Sequence, residues 1–302
     1  MPDIRVLEDR TVKALAAREA KYATEVTRRW KTALDEMRVS MSKIYEKYAV
    51  DGVLTRADMT RYNRYVAMEK QMVQIAREAA ADTKRVLDRL RPDMYNESFF
   101  RYAWTIDNSE AIRVSWGLLN KDAVLENLNN EFYRIAKDRY SKDVIFRTRT
   151  ALNQGLISGK GYPAMVKDLK NAINSTNYEA LRILRTEGQD AVNAGQDNCY
   201  SRAEEEGVEG VQIWDSTLDG ETREDHQAMD GQSRQPDGLY DGPGGERAPY
   251  PVWSGLPAKQ RIHCRCHQRF QVKDFPPLLR RSRDGGVIPY QNYDEWKKGQ
   301  KT

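Results

Sequence analysis

Met59, Val66, Val73, Ala80 and Leu87 fall seven residues apart, a spacing that a helix turns into one continuous stripe and a strand cannot. The companion positions Tyr62, Glu69, Ala76, Thr83 and Leu90 are only partly apolar. That mixture predicts a helical hairpin rather than a true coiled coil. An earlier stripe runs from Leu15 through Tyr22, Val26, Trp30, Leu34 and Met37, with Glu, Lys and Arg between them, so the first rod is apolar on one side and charged on the others. Thr55 followed by Asp58 reads as a capping pair at the start of the second helix. Pro92 in "RLRPDMYNES" predicts a break, because proline disfavours helix at the residue before it. The aromatics between 94 and 140, including Phe99, Phe100, Tyr102, Trp104, Trp116, Phe132, Tyr133 and Tyr140, read as helix-packing core. A further helix is expected over 143–157, with a stop and a new start at "SGKGYP" marked by its two glycines and Pro163, and "STNYEALRILRTEG" then begins with capping residues and continues as helix to Gly207, weakened at Gly188 and Gly195.

Long helices expose much surface for each core residue, and the composition fits them: 31% charged, 39% hydrophobic, mean hydropathy -0.80. Forty-nine Lys and Arg against 45 Asp and Glu leave +4, too balanced for bulk electrostatics to predict nucleic-acid binding. The amino terminus "MPDIRVLEDRTVK" lacks the apolar core of a secretory peptide, and no later window approaches a membrane span. The expectation is a chain kept in a cytoplasm, where reduced thiols suit its three cysteines.

Beyond Gly207 the pattern changes. "VQIW" is a short strand candidate, "TREDHQAMD" a short helix entered through Thr222, "QPDGLYDGPGGERAPYPVWSG" a long loop, and "CRCHQRFQV" an alternating strand. All three histidines and two of the cysteines stand in residues 214–232 and 261–270. His226 lies three residues after Arg223 on the short helix, and Cys264 and Cys266, at i and i+2, point the same way if the segment is extended. One imidazole meeting two thiolates makes a three-ligand core for Zn²⁺. His267, His263, Asp225 and Asp219 compete for the fourth position. Plainer roles stand beside this one: buried cysteines packing as small apolar residues, Asp219 making a turn, Thr222 capping with Asp225 at the third position, and Arg223 pairing with a carboxylate.

Taken together, "WDSTLDGETREDHQAMDGQ" followed by "HCRC" resembles the signature of the tailed-phage head-morphogenesis proteins, the Mu F-like minor head proteins. "ILRTEGQDAVNAG", with Arg185, Thr186 and Glu187, is similar to the helix that leads into it. The resemblance covers residues 142–272. His263 departs from the asparagine expected before the first cysteine, and His267 has no counterpart. His226, Cys264 and Cys266 carry over as candidate metal ligands, for a structural zinc; Asp219, Thr222 and Arg223 carry over as motif residues without an assigned role.

The fold expected is mainly α with a smaller α+β carboxy-terminal domain: a helical docking and assembly region over 1–141, the head-morphogenesis domain over 142–272 and a carboxy-terminal arm over 273–302. The resemblance implies a non-enzymatic minor head, or minor capsid, protein made in a bacterial host. It would be present in few copies per virion, at the portal vertex or the capsid interior, and act in head assembly, DNA packaging or genome delivery. Its implied partners are the portal protein and the major capsid protein, close to packaged DNA and with no membrane required. Three alternatives remain: a metal-dependent nuclease or hydrolase with Asp219 or Asp225 as base, a transferase using the "RTE" segment Arg185, Thr186 and Glu187, and a DNA-binding module using the arginines of "RIHCRCHQR" and "LLRRSR".

Overall fold

A computed structural model describes residues 4–60, 63–109, 114, 116, 117, 119–272, 279–281 and 287–289. Its frame is four long helices, α1 (Ile4–Tyr48), α3 (Arg64–Ser109), α5 (Glu131–Ile157) and α6 (Tyr162–Glu205), with short helices α2 (Arg56–Thr60) and α4 (Lys121–Asn127) between them. None of the described helices is long and apolar enough to cross a membrane. Thr55 caps α2 as its sequence suggests: Asp58 N donates to Thr55 Oγ1 at 3.2 Å, and that hydroxyl donates to the Asp58 carboxylate at 2.5 Å.

Two expected breaks are absent. Helix α3 passes through Pro92, where Asp93 receives both Arg18 Nε and Nη2 at 2.6 Å and Met94 and Tyr95 are buried. Tertiary contacts hold the helix across the lost backbone bond. Likewise α6 starts at Tyr162 and runs through the Ser175–Thr176 pair; Thr176 Oγ1 bonds back to the Ala172 carbonyl at 2.8 Å instead of capping a new helix.

Two compact units form, and neither is a continuous stretch of chain. One comprises Lys21–Arg89 and Glu131–Leu184; the other comprises Met1–Ala20, Leu90–Asn130 and Arg185–Thr302. The first, the helical unit, packs Val26, Trp30 and Met37 of α1, Met72, Val73 and Leu87 of α3, Tyr140 and Leu152 of α5, and Met165 and Leu169 of α6. Trp30 meets Tyr140 edge-on at 6.4 Å. Salt bridges Arg29–Asp82 and Arg89–Glu25, at 2.5 and 2.6 Å, border this core. The heptad row therefore faces inward at Met59, Val73, Ala80 and Leu87, while Val66 is exposed.

The second, mixed unit joins the ends of α1, α3 and α6 to the strands. Gly195 permits the helices to meet, since a Cβ there would lie 2.3 Å from the Tyr95 carbonyl oxygen. The glycine that weakens α6 as a helix is what lets α3 approach it. Strand β1 (Gly210–Asp215) pairs antiparallel with β4 (His267–Val272), Gly210 opposite Val272 and Asp215 opposite His267. Between them come α7 (Glu224–Ala228), the ribbon of β2 (Tyr240–Asp241) and β3 (Arg247–Ala248), and α8 (Ala258–Arg261). Phe270 of β4 stacks on Tyr200, which meets Tyr102 edge-on, at 5.0 and 5.6 Å.

A two-stranded sheet leaves two edges to satisfy. On β1, Trp214 N donates to the Gln232 carbonyl and Arg234 N to the Gln212 carbonyl, both at 2.8 Å. On β4, side chains take the place of a strand: Gln196 serves Gln268, and Glu8 accepts the Phe270 amide at 3.2 Å. Farther on, β5 (Leu279–Arg281) pairs with β6 (Val287–Pro289), which contains Ile288. Tyr290, Tyr293 and Trp296, aromatic residues of the expected arm, lie outside the described residues.

Candidate metal centre

Strand β1 ends at Asp215, the chain turns through Ser216–Thr222, and the single turn of α7 carries His226 back beneath Trp214, ring to ring at 6.4 Å. From the other side, α8 delivers Arg261, and the chain turns through His263 into Cys264 and Cys266 before β4 begins. The cysteines thus precede the strand instead of lying on it. Their i, i+2 relation still aims both sulfurs at one point, because Arg265 between them turns the opposite way to bind Asp219.

His226, Cys264 and Cys266 are buried, and their ligand atoms lie within 4.8 Å of one another. His226 Nδ1 is 3.3 Å from Cys264 Sγ and 3.5 Å from Cys266 Sγ. A tetrahedral zinc with ordinary bond lengths sets nitrogen and sulfur about 3.6 Å apart, so the donor set fits that ion with little movement. The other ring nitrogen is already assigned. Nε2 faces Gln260 Oε1 at 2.8 Å, and Gln260 Nε2 donates to Asp225 Oδ2 at 2.8 Å, so the amide accepts from the ring and leaves Nδ1 as the lone-pair face. Ser216 Oγ donates to the His226 carbonyl at 2.5 Å and lies 3.6 Å from Cys266 Sγ.

The thiols are electrostatically unequal. The hydrogen bond from Cys266, outweighing burial, holds Cys264 below the usual thiol range, while the same contact together with burial holds Cys266 well above it. His226 is opposed by burial but raised overall by its contact with Cys266 and by Gln260. A cation bound here would displace the protons of both thiols, since thiolate is the form that ligates.

The motif residues around the cluster build its corner. Asp219 receives Arg265 Nη1 and Nη2 at 2.6 and 2.7 Å and the Glu221 amide at 3.0 Å. Burial pushes the Asp219 carboxyl up, but the Arg265 and amide hydrogen bonds pull it below the usual range. Thr222 does not cap α7; its hydroxyl bonds the Thr217 carbonyl and lies 3.1 Å from Asp219 Oδ1, and the cap position is Arg223, without a side-chain bond. Arg223 donates to the Ile262 carbonyl. His267 is turned away to Gln189, 3.0 Å from its Nδ1, and burial pulls its pKa to about 4. Of the four competitors for a fourth position, Asp219, Asp225 and His267 are thus bonded elsewhere. His263 lines the small pocket over the cluster with Glu221, Thr222 and Arg223. Its backbone is left-handed, at φ 60°, a conformation that asparagine adopts readily; the geometry expected of asparagine is kept by a different residue.

Helix α8 ties the centre to α6. Arg261, fully buried, reaches Glu187 at 3.2 Å, Asp190 at 3.5 Å and the Val252 carbonyl at 3.0 Å, while Arg91 reaches the same two carboxylates at 3.5 and 3.9 Å. Burial, then the charge of Glu187, pushes Asp190 up to about 7. Glu187 of the "RTE" segment is therefore an anchor for the helix bearing Gln260. Asn193 adds to it, donating to the carbonyls of Pro251 and Cys266 at 2.7 and 3.0 Å.

The arginines of "RIHCRCHQR" are engaged internally: Arg261 as above, Arg265 with Asp219, and Arg269 with Asp215 at 2.8 Å, Glu8 and Asp9. They are not available as a phosphate-binding row. In "LLRRSR", Arg283 lies outside the described residues.

Residues 147–269, which take in every residue of this centre, match the family described as Phage Mu protein F like protein. Over 284 residues the chain is 29% identical to "Minor head protein GP7" of Bacillus phage SPP1, covering 89% of each chain. Over 209 residues it is 27% identical to "NAD(+)--arginine ADP-ribosyltransferase EFV" of Enterococcus faecalis, covering 66% of this chain and 42% of that protein. No solved structure matches.

Proposed function

We infer, for a chain that belongs to the Mu F-like minor head protein family, that it is a minor head protein of a tailed phage, acting inside the capsid or at its portal vertex during head assembly, DNA packaging or genome delivery. The observation that carries this reading is the shared extent of likeness, 89% of both chains with a phage minor head protein. Its partners are other capsid components, with the portal protein and the major capsid protein as the specific ones proposed. Residues 142–272 supply the family's module, 1–141 a helical docking region and 273–302 an arm.

In that role the buried His226, Cys264 and Cys266 bind zinc structurally, pinning the corner between β1, α7 and β4. The burial of all three ligands supports a structural ion over a catalytic one, and the two carboxylates suited to act as a base, Asp219 and Asp225, are held by Arg265 and Gln260. The transferase activity in the name of the second relative is that protein's own, and the match spans 42% of it. Mass spectrometry of heads purified from a producing host tests the assignment. The chain should be found in them at low copy number, and heads that lack it altogether would refute the reading.

A further inference from the structure

Helix α8 is about one turn long and has no side-chain cap, so little of its own structure fixes where it sits. Its two buried residues have different partners: Gln260 meets the metal centre, and Arg261 joins a buried set of charges. That set contains Arg91 from α3, Glu187 and Asp190 from α6, and Asn130 just ahead of α5, whose Nδ2 donates to Glu187 at 3.5 Å and to Asp190 at 3.3 Å. Two arginines balance two carboxylates there, and all four are buried. We propose that this cluster sets the zinc affinity of His226, Cys264 and Cys266, and that zinc in return tightens the hold of α3 on α6. The proposal rests on the structural-zinc reading above and adds its regulation.

A buried guanidinium has no water to turn to, so Arg261 is satisfied only where Glu187, Asp190 and the Val252 carbonyl stand. Its place fixes the adjacent Gln260. Gln260 Oε1 then accepts from His226 Nε2 while Gln260 Nε2 donates to Asp225, the contact that leaves Nδ1 to face the thiols. From Glu187 to the ligand the path is one ion pair, one step along the backbone of α8 and one hydrogen bond. With either carboxylate neutralised, the cluster holds an uncompensated buried charge, and α8 relieves it by moving toward water and taking Gln260 with it. The coupling is reciprocal, because whatever free energy the cluster gives the metal site the metal gives back to the cluster. Its effect falls on a weak stretch of α3. Pro92, next to Arg91, has removed a backbone hydrogen bond there, so side-chain contacts carry more of the hold.

The test is a double-variant cycle on the full chain, with zinc affinity read by competition against a chromophoric chelator. Glu187→Gln should keep its helical circular dichroism and bind zinc about tenfold more weakly. In the Gln260→Ala background the same change should cost less than about twofold, because the link is already cut. Asp190→Asn leaves Glu187 to both arginines and gives a second cycle with the same expectation. Hydrogen exchange reads the converse: removing zinc should speed amide exchange in α3 around Arg91 in the parent and leave it unchanged in Glu187→Gln. Equal losses of affinity with and without Gln260 would show a merely structural role and overturn the proposal, as would exchange in α3 that is indifferent to zinc. A parent chain that binds no zinc would remove the structural-zinc reading itself, and the proposal with it.

Discussion

Gln196 of α6 serves Gln268 of β4 from both sides of its peptide groups: Nε2 donates to the Gln268 carbonyl at 2.6 Å, and Oε1 accepts the Gln268 amide at 3.2 Å. A helix side chain thereby completes the strand edge that would otherwise be open. Both partners are buried, so Gln196→Ala strands a donor and an acceptor away from water, each costing about 1–3 kcal/mol. The expected result is a loss of roughly 2–4 kcal/mol in denaturant unfolding of the full chain. A loss under about 0.5 kcal/mol would mean that water or a shifted strand satisfies the edge instead.

Elemental analysis of purified protein should give one zinc per chain, and the Cys264→Ser, Cys266→Ser double variant none. Loss of metal should also lower the melting temperature and impair head assembly. Gln260→Ala retains all three donors but frees the His226 ring, so its zinc affinity should fall about 10–100-fold in a competition titration with a chromophoric chelator. An affinity unchanged in Gln260→Ala would show that the amide plays no part in aiming Nδ1.

Local signals in the sequence predict local structure, and contacts between distant residues decide the rest. The helices could be read because periodicity is local, and even the capping pair Thr55–Asp58 formed as expected. The missing breaks at Pro92 and Ser175 could not, since Arg18 and Asp93 are 75 positions apart and local propensity knows nothing of them. The three candidate ligands stood out because histidine and cysteine are rare in this chain. Gln260 and Ser216 did not, for glutamine and serine are common and advertise no metal chemistry. The sequence position of Thr222 suits a cap, yet the tight turn at Asp219 captures its hydroxyl first.

The Asp219–Arg265 pair should act through the loop more than through charge. Asp219→Asn keeps an acceptor for the Glu221 amide but loses the bidentate bond, whereas Asp219→Ala loses both. Arg265 is 44% exposed and can turn to water, so the expected costs are about 1 kcal/mol for Asn and about 2–3 kcal/mol for Ala. Equal costs for the two variants, measured by thermal unfolding, would show that the amide contact contributes nothing.

Glu19 gives the molecule a pH dependence of definite sign. Burial pushes its carboxyl up to about 7 against the opposing charge of Arg185, while the unfolded chain titrates near the ordinary glutamate value. Between those two values the folded state keeps a proton that the unfolded state releases, so stability is greatest below the lower value and declines as pH rises to the upper one. At about 1.4 kcal/mol per unit, the whole effect amounts to roughly 3 kcal/mol. Asp190 and Asp197, raised by burial to about 7 and about 6, push the same way and leave a residual slope. Glu19→Gln removes the titration without emptying the site, so its urea midpoint should gain on the parent between about pH 5 and pH 8. Parallel curves for the two proteins over that interval would place the Glu19 titration at its ordinary position and remove burial as the cause.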